Sequence, residues 1–344
     1  MNQAMQTSRQ ARVAINGFGR IGREIARQIC SSRNNGLELV AINTLSRIDL
    51  SVHLLRYDSI YGVLPLSVDT TDCQLVINGG PVFFFEQENP AMLPWADLDI
   101  DIVIECAGLG DKSRSHLKAG ASSVIVAGST QNPDITICMG VNHGRFESGN
   151  HRFICGASCT ATMVAPVIAL LDDAFGVEQA MVTFIHSYTS EQNLLDSHAS
   201  DPRRTRSATQ NIIPTSTSAI EHLTTMFPWL AGKIDGLALR VPTPLVHMAD
   251  LVLKVKKKSN SKEVLLQILE KAAQSSMKNI LAVNYEPLVS YDFRGRSHSC
   301  IVDAEFSEVS GNMIKLVVWH DNEHGYSSRI IALAQYIADI YKKM

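Results

Sequence analysis

Apolar and polar positions follow two different rhythms along this chain. In the first half, short apolar runs alternate with stretches of helical repeat. Residues 11–16 (ARVAIN) form an apolar run that stops at Gly17, which predicts a buried strand. Ile21, Ile25 and Ile29 then share one face while Arg23 and Arg27 turn outward, so a helix follows. Residues 37–43 (LELVAIN), 101–107 (DIVIECA) and 123–127 (SVIVA) predict three more strands, with a helix-compatible stretch between the last two. Buried strands alternating with helices imply a parallel, doubly wound α/β sheet.

The rhythm changes near residue 158. A helix is predicted from Cys159 to about Asp173, with Pro166 inside it. Strand-like runs then recur at 179–185, 234–241, 247–256, 300–309 and 313–319, with a helical stretch at 261–276 among them. This half reads as α+β with a largely antiparallel sheet. Residues 187–214 carry little periodicity and read as one long loop, a length usually tied to function or disorder. The last 20 residues form an amphipathic helix.

Composition narrows the class. The 344 residues are 45% hydrophobic, which excludes a disordered chain and, at about 100–200 residues per domain, suggests two domains. A net charge of −3 disfavours nonspecific binding to nucleic acid or anionic membrane. No run approaches the roughly 18 apolar residues needed to span a bilayer. Seven scattered cysteines without a C-x-x-C pair point to a reducing compartment rather than a disulfide framework or a zinc site. The N-terminus (MNQAMQTSRQAR) lacks the apolar stretch of a secretory signal and is expected to be a frayed tail on a soluble, cytoplasmic protein.

Three groups of residues carry chemistry. Gly17-Phe18-Gly19-Arg20-Ile21-Gly22 follows a predicted strand and opens a predicted helix, the setting a dinucleotide-binding turn requires. Gly17 permits the tight turn, Gly19 lets a pyrophosphate approach the backbone, and Gly22 lets the helix pack on the strand. After the second strand comes Asn43-Thr44-Leu45-Ser46-Arg47, with no carboxylate for a ribose 2′-hydroxyl. Thr44 would not repel a 2′-phosphate and Arg47 could pair with one, so NADP fits as well as NAD. In the opposite reading, Asn43 serves the 2′-hydroxyl and Arg47 is merely solvated.

Ser158-Cys159-Thr160 stands at a helix start, where Ser158 is a good N-cap and the positive helix end favours a reactive thiolate at Cys159. His186, at the end of a strand, could complete a thiolate–imidazolium pair. Periodicity alone favours an inert buried cysteine and an unrelated histidine; the pair rises only through its context. Hydroxyls and guanidiniums on loops suit phosphate dianions: Thr189, Arg203-Arg204-Thr205-Arg206, Thr215 to Ser218, and Arg240. His320 and His324, four apart, offer only two ligands in the wrong order for a metal site, so none is expected.

Seven stretches, in order, resemble the phosphorylating glyceraldehyde-3-phosphate dehydrogenase family over residues 12–338: VAINGFGRIGR, LLRYDSIYG, ASCT, IHSYT, NIIPTSTSA, ALRVPTP and WHDNEHGYSSR. The resemblance implies a Rossmann-type parallel-sheet domain over 1–158 and 322–344, and an α+β catalytic domain with a mainly antiparallel sheet over 159–321. It implies NAD or NADP held by Gly17, Gly19, Arg20, Ile21, Gly22, Thr44 and Asn322. It makes Cys159 the nucleophile and His186 its activator. Thr189 and Arg240 match the family's ligands for the substrate phosphate. Ser158, Thr160 and Thr217 match its inorganic-phosphate site, where Ser218 replaces the usual Gly, and Arg204 matches the arginine between the two.

The implied partners are a sugar-phosphate aldehyde and inorganic phosphate, and the implied assembly is a homotetramer. Departures are visible. Ala161-Thr162 stands where the family usually reads Thr-Asn, Ser197-His198 where it reads Leu-Pro (polar residues there occur in NADP-using members), and Glu191 replaces an Asp. Stretches such as LLDDAFGVE and MFPWLAGKI also resemble the sister erythrose-4-phosphate dehydrogenases, and the altered turn leaves open a weakened, nucleotide-binding regulatory paralogue. Thr189, the IIPTST run and the RVPTP run favour the glyceraldehyde branch.

Overall fold

The computed structural model describes residues 9–32, 36–71, 74–190, 192–258 and 261–343; residues 1–8 of the expected tail, and Glu191, lie outside them. The chain divides into two units, Met1–Ile135 with Gly144–Gly156 and Ile330–Met344, and Thr136–His143 with Ala157–Arg329. The break at Ala157 falls next to the expected boundary. The return to the first unit comes at Ile330, within the last helix and later than the expected residue 322, so Asn322 belongs to the second unit. Among the described residues no helix is long and apolar enough to cross a membrane.

The first unit runs β1 (Ala11–Asn16), α1 (Arg20–Ser31), β2 (Leu37–Asn43), α2 (Ile48–Arg56), β3 (Tyr57–Asp58), β4 (Gly62–Val63), β5 (Val68–Thr71), β6 (Gln74–Ile77), β7 (Gly80–Phe85), β8 (Ile102–Glu105), the single turn α3 (Ser115–Lys118), β9 (Ser123–Val126), β10 (Ile135–Thr136) and β11 (Phe153–Cys155). Its sheet has the order β10-β11-β9-β8-β1-β2-β7-β6-β5. The strands from β11 to β7 pair in parallel. The edge strands β7, β6 and β5 are antiparallel. All four strands expected here form, and β8 and β9 are buried at every position, as parallel strands covered on both faces should be. The helix expected between them shrinks to α3 and a preceding 3₁₀ turn, because Gly108 and Gly110 take positive φ and break the helical path.

A buried polar chain braces the C-terminal ends of the central strands. Trp95 Nε1 donates to His116 Nδ1 at 2.9 Å, and His116 Nε2 lies 3.2 Å from Glu105 Oε2. Asn16 donates to the same carboxylate oxygen at 2.6 Å, and Asn43 donates to Asn16 Oδ1 at 2.7 Å. A fully satisfied network of this kind fixes the strand ends from which the loops depart.

The second unit carries α4 (Cys159–Phe175), β12 (Val177–Ser187), β13 (Ile213–Thr215), α5 (Ala219–Met226), β14 (Ile234–Val241), β15 (His247–Val255), α6 (Lys262–Ala273), β16 (Leu281–Asn284), β17 (Cys300–Ser310), β18 (Met313–His320) and the start of α7 (His324–Tyr341). Its sheet order is β13-β14-β12-β15-β18-β17-β16. β12 with β14 and β16 with β17 pair in parallel; the other neighbours are antiparallel. Burial alternates strictly along β15, so one sheet face is core. Met163, Val164, Ile168 and Leu171 of α4 share that core with Leu251, Leu253, Leu316 and Val318. Pro166 removes one helical donor, yet α4 continues past it because residues 160–168 are all buried against their surroundings. Among its described residues the long loop after β12 holds one 3₁₀ turn, Pro202–Thr205.

Candidate active site

The turn before Cys159 is strained and pinned. Ala157 has φ +58°, a region that costs an L-residue free energy, and its carbonyl accepts from the Tyr326 hydroxyl at 2.8 Å. Ser158 then caps α4, its Oγ accepting from Ala161 N at 3.1 Å. Thr162 Oγ1 donates to Ser158 O at 2.8 Å, so the residue that departs from the family pattern still closes the turn. The Ser158 amide donates to His222 Nδ1 at 3.2 Å, which ties the turn to α5.

Cys159 and His186 come together with a hydroxyl between them. Cys159 Sγ is 3.8 Å from Thr160 Oγ1, and Thr160 Oγ1 is 3.1 Å from His186 Nε2. Burial pushes the Cys159 thiol above its usual pKa, outweighing the Thr160 hydroxyl and the Arg240 charge that pull it down. Burial also pushes His186 down to about 3, and the Arg240 and Arg204 charges act in the same direction. The expected thiolate–imidazolium pair is thus close-set, with the Thr160 hydroxyl in contact with both groups, and burial works against its charges. Desolvation disfavours both charges, while the helix start favours the thiolate.

Arg240 lies across from His186 in the β12–β14 register and donates to Ser187 O at 3.2 Å. Arg204 sits on the 3₁₀ turn, 3.8 Å from the Asp201 carboxylate. The other phosphate candidates stand on loops. Thr189 N donates to Gln192 Oε1, Thr217 Oγ1 accepts from Ala219 N, and Ser218 is exposed at the N-cap of α5. Among the described residues none of these three makes a hydrogen bond to the cysteine cluster. Asn322 is buried beside the end of β12, its Oδ1 accepting from Val246 N at 3.0 Å and from Ser187 Oγ at 3.4 Å. Asp321 fixes this segment by accepting from the amides of Gly295, Glu323 and His324. His320 ends β18 and His324 begins α7, so the two do not stack on one helix.

The glycine loop of the first unit has the backbone shape a dinucleotide requires. Gly17 has φ +92°, and a Cβ on it would come within 2.4 Å of Ala107 N. A Cβ on Gly22 would come within 2.0 Å of Gly17 O, while around Gly19 there is open space for at least 4 Å. α1 has Gly19 at its N-cap with no side-chain cap and no acid in its first turn. The residues present therefore fit a pyrophosphate: the backbone is crowded where it must turn and open where an anion would approach. Arg20 is held by Asp58, with Nη1 2.5 Å from Oδ2. Burial works against that carboxylate's charge, but the Tyr61 and Ile60 amides and Arg20 hold it below its usual range.

At the end of β2, both ends of the Asn43 amide are engaged, with Asn16 and with the Gln87 backbone. Both Asn43 amide hydrogens are thus spent, and its Oδ1 keeps one lone pair for a ribose hydroxyl. Thr44 is half-buried, and Arg47 pairs with Asp49 at 2.6 Å on the surface. Ser197 and His198 are exposed on the long loop.

Gly22→Ala gives a direct check. Helix propensity favours Ala by about 1 kcal/mol, but overpacking against backbone costs about 1–3 kcal/mol. The variant should melt lower and bind the dinucleotide at least about tenfold more weakly, read by thermal unfolding and by dinucleotide titration.

The sequence reading had not singled out His222, His247 or Tyr326. Nothing in the local pattern marks them, since α5, β15 and the start of α7 all carry other polar residues.

Comparison with known proteins agrees with this geometry. Residues 11–113 match the family described as glyceraldehyde 3-phosphate dehydrogenase, NAD binding domain, and residues 158–322 match the corresponding C-terminal domain. The chain is 43% identical over 331 residues to a glyceraldehyde-3-phosphate dehydrogenase of Priestia megaterium, covering 95% of this chain and 98% of the relative. It is 42% identical to glyceraldehyde-3-phosphate dehydrogenase 1 of Bacillus subtilis at the same coverage. It is also 42% identical to glyceraldehyde-3-phosphate dehydrogenase 2 of a Nostoc species, over 334 residues covering 95% of this chain and 98% of that one. The chain belongs to the glyceraldehyde 3-phosphate dehydrogenase family.

Proposed function

We propose that this protein oxidises glyceraldehyde 3-phosphate and phosphorylates the product to an acyl phosphate. The observation that carries the reading is the row of Cys159, Thr160 and His186, with Arg240 beside His186 in the sheet. Cys159 Sγ adds to the aldehyde carbon and gives a thiohemiacetal, its proton passing to the new hydroxyl. His186 Nε2 takes that hydroxyl proton as the carbon is oxidised to a thioester. When bound, the dinucleotide supplies the hydride acceptor. Inorganic phosphate then attacks the thioester carbon, the acyl phosphate departs, and Cys159 regains its proton. Arg240 and Thr189 suit the substrate phosphate; Ser158, Thr160, Thr217, Ser218 and Arg204 suit the attacking one.

The curated relatives carry the triose name, which disfavours the erythrose-4-phosphate reading and the regulatory paralogue. For the dinucleotide, a 2′-phosphate would have to compete with Asp49 for Arg47, which favours NAD over NADP. Steady-state assays test all of this. The expected result is faster turnover of glyceraldehyde 3-phosphate than of erythrose 4-phosphate, and a higher kcat/KM for NAD than for NADP. Reversal of the sugar order overturns the substrate assignment.

A homotetramer is part of the same reading. Met181, Leu237 and Phe306 are exposed on the strands of the second unit at 64%, 43% and 60%, apolar surface suited to burial between subunits. The cytoplasmic setting is supported by six described cysteines outside any disulfide.

A further inference from the structure

A hydrogen bond joins the starts of α4 and α5. Ser158, the N-cap of α4, donates its amide to His222 Nδ1 at 3.2 Å. His222 lies one turn into α5, where its own amide donates to the carbonyl of Ser218, the N-cap of that helix, at 3.2 Å. The buried face of α5 is Ala219, His222, Leu223 and Met226, and its apolar members share a core with Met163 and Val164 of α4. An imidazole set among these residues needs a partner, and the Ser158 amide is one. An amide can only donate, so Nδ1 carries no proton. Burial holds the ring below its usual pKa against the pull of neighbouring Glu221, which keeps the acceptor in place at neutral pH.

This bond completes the fixing of Ser158. Its carbonyl accepts from Thr162 N at 2.9 Å and from Thr162 Oγ1 at 2.8 Å, and its Oγ accepts from Ala161 N at 3.1 Å. With the amide, the carbonyl and one hydroxyl lone pair committed, the hydroxyl hydrogen remains to donate to an anion. Thr217 repeats the pattern before α5: its Oγ1 accepts from Ala219 N at 3.2 Å, which leaves its hydrogen to donate as well. Both side chains belong to half-buried residues at helix starts, where an anion is favoured.

We propose that His222 is a positioning residue for the inorganic phosphate: as acceptor for the Ser158 amide it sets the start of α4 against the start of α5, so that the hydroxyl hydrogens of Ser158 and Thr217 meet at one anion. The proposal rests on the reading of that phosphate site given above. His222 acts through the Ser158 backbone, so its effect belongs to the second half of the reaction. Forming the thioester does not use inorganic phosphate, whereas cleaving it does.

The test varies inorganic phosphate at saturating aldehyde and dinucleotide for His222→Ala, His222→Asn and His222→Gln, and follows the dinucleotide's absorbance. Alanine removes the acceptor, so KM for phosphate should rise about tenfold, while KM for the aldehyde and the burst of thioester formation seen without phosphate stay within about twofold of wild type. Asparagine places its Oδ1 where Nδ1 stands and should bring KM for phosphate back to within about threefold of wild type. Glutamine, one carbon longer, carries its oxygen past the Ser158 amide and should behave as alanine does. An alanine variant whose phosphate KM stays within about twofold of wild type overturns the proposal. So does one whose aldehyde KM rises equally, which marks a general loosening of the site, and so does an asparagine variant as poor as alanine. Should the variants fail to fold, imidazole nitrogen NMR of the wild-type protein decides: at about pH 7.5 His222 should carry its proton on Nε2, and a proton on Nδ1 overturns the proposal. Failure of the underlying reading shows separately, as wild-type turnover that needs no phosphate.

Discussion

Cys159→Ser should lower kcat for aldehyde oxidation by at least about a thousandfold, or about 4 kcal/mol in the barrier. Serine preserves nearly all the local structure. The cap of Ser158, the Thr162 bond to Ser158 O and the Thr160 contact to His186 do not involve Sγ. What changes is the attacking atom. A hydroxyl oxygen is a far weaker nucleophile than sulfur, because its proton is much harder to remove. Dinucleotide affinity should be unaltered, because the glycine loop lies in the other unit. Following the dinucleotide's absorbance under steady-state conditions reads the rate, and a titration reads the affinity. A variant within tenfold of wild type would remove Cys159 from the reaction.

Unfolding free energy should fall steeply as pH drops below about 6.5, the ordinary value of histidine. Burial pushes His186 down to about 3 and His320 to about 4, and holds His247 well below its usual value. In the folded chain these rings stay neutral while in the unfolded chain they take up protons. The unfolded state thus binds more protons, and stability rises with pH. It is fully present above the unfolded value and is lost as pH falls toward the folded ones. Each ring contributes at most about 1.4 kcal/mol per pH unit, so the three together give roughly 4 kcal/mol per unit between about pH 6 and 4.5. Denaturant titrations at pH 7.5, 6 and 5 measure this. Trp229 and Trp319 report on the second unit and Trp95 on the first. Equal stability at the three pH values would contradict the burial of these histidines in neutral form.

Much of this architecture could be read in the chain beforehand, for a physical reason. Strands such as β8 and β9 are buried on both faces and so appear as unbroken apolar runs, and β15 alternates because only one face meets core. The edge strand β5 escaped notice because it is short and three of its four residues are exposed. At the site, Cys159 stood out by its place at a helix start and His186 by its place at a strand end. The hydroxyl bridge of Thr160 and the stacking of the His247 and His186 rings did not, since both arise from register between segments far apart in sequence. The direction of the two pKa shifts was also hidden, because burial is a property of the folded site.

The two strained residues beside the chemistry, Ala157 and Val246, with φ of +58° and +68°, are each held by a partner from the same late stretch of chain, Tyr326 and Asn322. Translation delivers that stretch after both bends. Until it emerges, neither of these two hydrogen bonds can hold its bend. A nascent chain therefore carries both bends unbraced until that stretch has been made.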